Sequence, residues 1–139
     1  MQKQFKQREE FNKAFEIESN ESFDNIEPYK AELEYLMILE EIEEYREAAK
    51  NGDKIEVLDA IADIGYLWFG MIKKHGLKQK HVELLLDEVH KSNMTKLHNG
   101  KVVKNAAGKV IKPETFTPPD IKRILHIIDQ DELIDKIGL

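Results

Sequence analysis

The sequence predicts an all-α protein: an antiparallel helical bundle of about four main helices, with a short lysine-bearing hairpin or arm and a C-terminal helix. Apolar residues recur at steps of three and four along most of the chain, which is the periodicity of helices that bury one face. Short turn signals, such as Asn-Gly-Asp at 51–53, separate these segments. A length of 139 residues is typical of one domain.

Residues 1–27 are predicted to form an N-terminal helix and a polar connector. Phe5, Phe11 and Phe15 supply the apolar anchors of that helix. Pro28 suits the first turn of the next helix, because its missing N–H is not needed there.

The helical core, residues 28–98, is predicted to contain three helices in series. Gly52 supplies a stop signal and Asp53 an N-cap, so a short turn joins the first two helices. The predicted helices run over about 28–50, 54–75 and 78–97.

Residues 99–139 are predicted to form a lysine-rich arm and a C-terminal helix of the same domain. The arm has two short segments around Asn105–Gly108, a pattern typical of a small hairpin. Its lysines stand at Lys101, Lys104, Lys109 and Lys112.

Composition narrows the function classes. The chain contains no cysteine, which excludes disulfides and thiolate metal sites. No run of 18 apolar residues is present, and the polar N-terminus lacks a signal-peptide core, so we expect a cytoplasmic protein without a membrane segment. A net charge of −6 argues against general nucleic-acid binding.

One stripe of the helix predicted over 28–50 combines apolar and acidic side chains. Steps of three and four connect Leu33, Met37, Glu40, Glu44 and Ala48. Glu41 lies beside this stripe, one turn before Glu44. The carboxylates therefore continue an apolar face instead of opposing it.

The following helix places two acids in its most apolar part. Between Val57 and Ile72, 12 of 16 residues are apolar and the charged residues are Asp59 and Asp63. Burying an unpaired carboxylate costs several kcal/mol, and two on one helix face repel each other. No basic residue occurs from Ile55 to Ile72, and clustered carboxylates suit Mg²⁺ or Mn²⁺. The alternative is a solvent-filled groove, or one protonated acid.

This pattern resembles the all-α nucleoside triphosphate pyrophosphohydrolases, the superfamily of MazG, dimeric dUTPases and phosphoribosyl-ATP pyrophosphohydrolase. The family signature is EExxE, a linker, then ExxD. In this sequence EExxE corresponds to Glu40, Glu41 and Glu44, and the closing aspartate to Asp63. The intervening segment, with its AAKNGD turn, resembles phosphoribosyl-ATP pyrophosphohydrolases in particular.

The sequence departs from the signature at Ala60, where the family has the second-motif glutamate. Alanine cannot bind a metal. Asp59, one residue earlier, is the expected substitute, and Glu56 with Asp59 forms an alternative ExxD frame.

The segment DEVHKSNMTKL, 87–97, resembles a bacterial and phage subgroup of MazG-like enzymes, and the resemblance covers about residues 28–122. A stripe of Val82, Leu86, Val89, Asn93 and Lys96 also steps by three and four, which predicts that it faces inward. Asn93 and Lys96 would then form a phosphate clamp, with lysine as point charge and asparagine as donor. The alternative for Lys96 is an ion pair with the acidic cluster.

Together, the residues and the resemblance predict metal-dependent hydrolysis of a nucleoside triphosphate to the monophosphate and pyrophosphate. Glu41, Glu44, Asp59 and Asp63 would hold Mg²⁺, with Mn²⁺ as a substitute, and Glu40 would activate water. The resemblance also implies a homodimer or homotetramer.

Three alternatives stay open at this point. The first is that the substrate is phosphoribosyl-ATP, which the connecting segment favours and the departure at Ala60 does not. The second is that the chain is a non-catalytic helical module with a binding or regulatory role. The lysines of the arm either close over a triphosphate or protect a strand edge from aggregation.

Overall fold

The computed structural model describes residues 1–138, which form five α-helices and no β-strand. The helices are α1 (Gln2–Ala14), α2 (Pro28–Lys50), α3 (Lys54–Lys74), α4 (Gln79–Met94) and α5 (Ile121–Ile137). The all-α prediction is confirmed. Each predicted core helix is present, and a single 17-residue helix closes the chain.

The chain divides into two compact units, Met1–Gln79 and a second unit that begins at Lys80. The first unit contains α1, α2 and α3. The second contains α4 beyond its first residue, the lysine arm and α5. This boundary lies inside the predicted 28–98 core.

α2 and α3 form a helical hairpin, because a three-residue turn joins them. Gly52 adopts φ +68°, and the Asp53 carboxylate accepts a 3.1 Å hydrogen bond from the backbone N–H of Glu56. These are the stop and the N-cap that the sequence predicts. Ala48 and Ala60 are buried in the packed faces of the two helices.

α1 packs against the C-terminal half of α3. Phe5 is buried and meets Phe69 edge-on, with 5.5 Å between ring centroids. Arg8 is also buried, with Nε donating to Asn12 Oδ1 at 3.0 Å and Nη1 donating to the carbonyl of Tyr66 at 3.2 Å. The guanidinium lies against Gly70, where an added Cβ would come within 2.7 Å of Arg8 Cζ. Burial lowers the pKa of Arg8 from its ordinary value.

The connector between α1 and α2 runs along the end of α3. The N–H of Asn20 donates to the carbonyl of Lys74 at 3.1 Å, and the N–H of Asp24 donates to the carbonyl of His75 at 3.0 Å. Gly76 has φ +78°, and an added Cβ would collide with the backbone of Ser22. Glycine is therefore required at this turn for both its conformation and its size.

The second unit is held by polar contacts between α4 and α5, around the buried Ile124 and Ile128. His81 is 1% exposed, and its Nε2 lies 2.9 Å from Asp131 Oδ2. Glu88 accepts from the N–H of Asp120 at 2.9 Å and from Arg123 at 2.8 Å.

None of the helices found within residues 1–138 combines the length and the apolar character that a membrane span needs.

Candidate active site

Glu41 lies among the acidic residues of α2. It is half-buried, and its Oε2 atom is shielded from solvent without a hydrogen-bond partner. Burial, followed by the hydrogen bond and charge of Glu44 and the charges of Asp63 and Glu40, raises the pKa of Glu41 from 4.5 to about 7. Within residues 1–138, no cation contributes to this shift in the pKa of Glu41.

The α3 side of this cluster contributes Asp63, which is half-buried. Ala60, one turn earlier, is 2% exposed and fills the position where the signature has glutamate. Asp59 and Glu56 are both exposed. Glu44 and Asp63 both interact with Glu41. Asp59 is on the same helix, and no interaction with Glu41 is found for it.

A metal ion suits this donor set on chemical grounds. Carboxylate oxygens are the ligands that Mg²⁺ and Mn²⁺ prefer. Glu41 Oε2 is a shielded oxygen without a hydrogen-bond partner, and either protonation or a bound cation would relieve the cost of its burial. Within residues 1–138 no three carboxylate or imidazole groups converge on a single point, so the acids share a neighbourhood without a closed ligand cage.

A comparison of the sequence with protein-family models identifies the family to which the chain is similar. The model of phosphoribosyl-ATP pyrophosphohydrolase matches residues 8–93, which include the acidic residues of α2 and α3. The chain belongs to the phosphoribosyl-ATP pyrophosphohydrolase family. This family is part of the MazG-like all-α superfamily, as the sequence pattern indicates. A comparison with curated proteins gave no match.

Family membership settles the class of reaction. The protein is a pyrophosphohydrolase that acts on a nucleotide, which favours an enzyme over a non-catalytic helical module.

The two predicted phosphate ligands of this pyrophosphohydrolase lie in the second unit. α4 ends at Met94, so Lys96 stands in the following turn, where its N–H donates to the carbonyl of Asn93 at 3.1 Å. Asn93 is exposed, and Leu86 and Val89 are 43% and 39% exposed. The stripe therefore faces inward at Val82, which is buried, and outward from Leu86 to Asn93. The phosphate-binding role of Asn93 and Lys96 stays a prediction.

The buried face of α4 is one residue out of phase with the predicted stripe. Besides Val82 it contains the buried His81 and Ser92 and the half-buried Glu88, which sequence reasoning missed because all three are polar. Each of these three residues has a hydrogen-bond partner on the C-terminal side of the chain, although His81 Nδ1 has none within residues 1–138. A hydrophobic-periodicity argument cannot detect such a face.

Ser92 and Thr95 of the SNMTK segment have structural roles. The Ser92 hydroxyl donates to the carbonyl of Thr117 at 2.7 Å. The Thr95 hydroxyl donates to the carbonyl of Ser92 at 2.7 Å and accepts from the N–H of Thr117 at 2.9 Å. These two residues hold the extended segment before α5 against the end of α4.

Proposed function

We propose that this pyrophosphohydrolase cleaves the bond between the α and β phosphates of a nucleoside triphosphate, in a reaction that depends on Mg²⁺. The products are a nucleoside monophosphate and pyrophosphate. The observation that supports this proposal is Glu41, which has a shielded oxygen without a hydrogen-bond partner and a raised pKa beside the other carboxylates of α2 and α3.

Glu41, Glu44 and Asp63 would hold the metal, and Asp59 would complete the set in place of the glutamate missing at position 60. A cation bound there supplies positive charge that neutralises the charge developing on the phosphate oxygens. Mn²⁺ has the same preference for carboxylate oxygens and would substitute.

The residues of the chain have separate tasks in the reaction. Glu40 is exposed next to Glu41, and it would orient the attacking water and accept its proton. The proton that Glu41 holds near neutral pH must leave before a cation can bind, so metal affinity should rise between about pH 6 and 8. Asn93 and Lys96 would bind phosphate oxygens.

A second candidate substrate is phosphoribosyl-ATP. The family match over residues 8–93 favours it directly. The bond that is cleaved and the release of pyrophosphate are the same for this substrate. The two candidates therefore differ in the group that the protein recognises, and they share the acidic cluster.

We also propose that the active form is a homodimer or homotetramer. α2 and α3 expose an unusual number of large apolar side chains, including Leu33, Leu36, Ile55, Leu58 and Ile61, each at least half exposed. Surfaces of this kind are covered by a partner in stable proteins. Sedimentation at several protein concentrations tests this directly.

The experiment that tests the function is pyrophosphate release from a panel of canonical and modified nucleoside triphosphates together with phosphoribosyl-ATP. Each nucleotide is assayed with Mg²⁺, with Mn²⁺ and with chelator. We expect metal-dependent release from at least one triphosphate, lost in Glu41→Gln and kept in Glu47→Gln, which changes the same charge at an exposed position of α2. Release from phosphoribosyl-ATP alone would select the second candidate. No release from any nucleotide would contradict the proposal.

A further inference from the structure

The lysine arm, residues 98–113, concentrates positive charge in an otherwise acidic chain. Four of the 21 Lys and Arg residues lie in it, and none of the 27 Asp and Glu residues does. All four lysines are exposed. Such a segment attracts anions at short range even though the protein as a whole is negative.

The backbone of the arm is ordered by two turns. His98 and Lys101 exchange backbone hydrogen bonds of 2.7 and 2.9 Å across Asn99 and Gly100, which both have positive φ. This is the geometry of a two-residue type I′ turn. The Nε2 of His98 also donates to the carbonyl of Ile111 at 2.9 Å, which ties the two sides of the arm together.

The second turn is built around Asn105. Its side-chain oxygen accepts from the N–H groups of Ala107 and Lys109, each at 3.0 Å, and its carbonyl accepts from the N–H of Gly108 at 3.0 Å. Lys104 and Lys109 therefore flank a fixed loop. The loop therefore orders the backbone at both lysines, which reduces the backbone entropy that binding would cost.

The charges of the arm lack a counter-charge. Among residues 1–138, no carboxylate lies within 4.0 Å of the ammonium of Lys101, Lys104 or Lys109. Lys112 instead lies over the ring of Phe116, 4.8 Å from its centroid. The lysines are therefore available to a ligand.

The alternative explanation for these lysines loses its basis in the structure. Charges on an edge strand prevent pairing with another sheet. The arm forms two isolated bridges, His98–Lys101 and Lys104–Val110, and residues 1–138 contain no strand. There is no sheet edge in the described part of the chain for the lysines to shield.

We infer that the arm is a binding element for polyphosphate, with Lys104 and Lys109 as its principal contacts. Lysine is a point charge suited to the several oxygens of a phosphate chain. The identification of the natural ligand as the phosphates of the nucleotide substrate, or the pyrophosphate product, depends on the proposed function. The binding of polyphosphate to the arm does not depend on the proposed function.

The test compares Lys104→Gln/Lys109→Gln with a matched control, Lys3→Gln/Lys13→Gln, in the full chain. The control removes the same charge from exposed positions of α1. Calorimetric titration of the chelator-treated protein with inorganic tripolyphosphate should show an affinity about tenfold lower for the arm variant, as two charge contacts of modest strength imply. The control should bind like the wild type. Equal affinities for all three proteins would overturn the inference, and so would an equal loss in the control.

Turnover provides the second readout. With the nucleotide that is hydrolysed fastest, the arm variant should have a KM raised about tenfold and a kcat within about twofold of the wild type. An unchanged KM overturns the link between the arm and the substrate. If the wild type hydrolyses no nucleotide, the proposed function fails while the tripolyphosphate titration still decides the inference. Stronger binding of a single-stranded oligonucleotide than of tripolyphosphate, at equal phosphate concentration, would also count against it.

Discussion

Replacing Glu41 with glutamine should stabilise the metal-free protein while abolishing turnover. The folded protein raises the pKa of Glu41 from 4.5 to about 7 through burial and the neighbouring Glu44, Asp63 and Glu40. A carboxyl with a raised folded-state pKa stabilises the fold only while it is protonated, so this contribution falls as pH rises from about 4.5 to 7. Glutamine is neutral at every pH and can donate a hydrogen bond to Glu44. The variant therefore does not lose stability at this position as the pH rises.

The size of the expected gain in stability follows from the shift in the pKa of Glu41. A change from 4.5 to about 7 corresponds to roughly 3 kcal/mol if it is taken in full. Glu41 is only half-buried, and solvent screening reduces the value to about 1–2 kcal/mol. For a chain of this length, such a change raises Tm by about 3–6 °C.

The assay is urea unfolding at pH 8 and pH 5 in the presence of chelator, for the wild type, Glu41→Gln and Glu47→Gln. We expect Glu41→Gln to exceed both others in stability at pH 8, and the difference to shrink at pH 5. Glu47→Gln is the control, because it removes the same charge from an exposed position of α2. An equal gain at both pH values, or an equal gain in the control, would refute the reasoning.

Three further predictions follow from the geometry. Asp59→Asn should remove the Mg²⁺-dependent rise in Tm, and Glu56→Gln should keep it; the reverse result assigns the second-motif role to Glu56. Gly76→Ala should lower the free energy of unfolding by about 2–4 kcal/mol, measured by urea titration, because its positive φ and the nearby backbone both exclude a Cβ. Asp131→Asn should destabilise the protein at pH 7 and less at pH 3, since the hydrogen bond from His81 lowers the pKa of Asp131 and its benefit is lost as that group protonates. Unfolding curves that differ equally at both pH values would contradict this last prediction.

The helical hairpin was predictable because its signals are local. Pro28, Gly52 and Asp53 act through their own backbone geometry, and each lies at the helix boundary that the sequence indicates. The proximity of Glu41 and Asp63 follows from the same turn, since a three-residue connection fixes how the two helices face each other. The approach of these two carboxylates could therefore be anticipated from spacing.

The second unit was less predictable, because pairing between distant polar residues shapes it. His81 and Asp131 are 50 positions apart, and Glu88 and Arg123 are 35 apart. Each pair makes a polar face suitable for burial only when its partner is present. A single sequence shows neither partner, so the stripe with more apolar residues is chosen, and that stripe is buried at Val82 but exposed at Leu86, Val89 and Asn93.

The contact between Arg8 and Gly70 has a consequence for how relatives of this protein differ. The guanidinium occupies the space above Gly70, so neither residue has freedom to change by itself. A larger side chain at position 70 would displace the arginine, and a shorter residue at position 8 would leave a hole over α3 and remove the hydrogen bond from Arg8 to the carbonyl of Tyr66. We expect these two positions to vary together among related sequences, with arginine at the first only where the second is glycine. Such paired substitution would reveal the docking of α1 onto α3 from sequences alone.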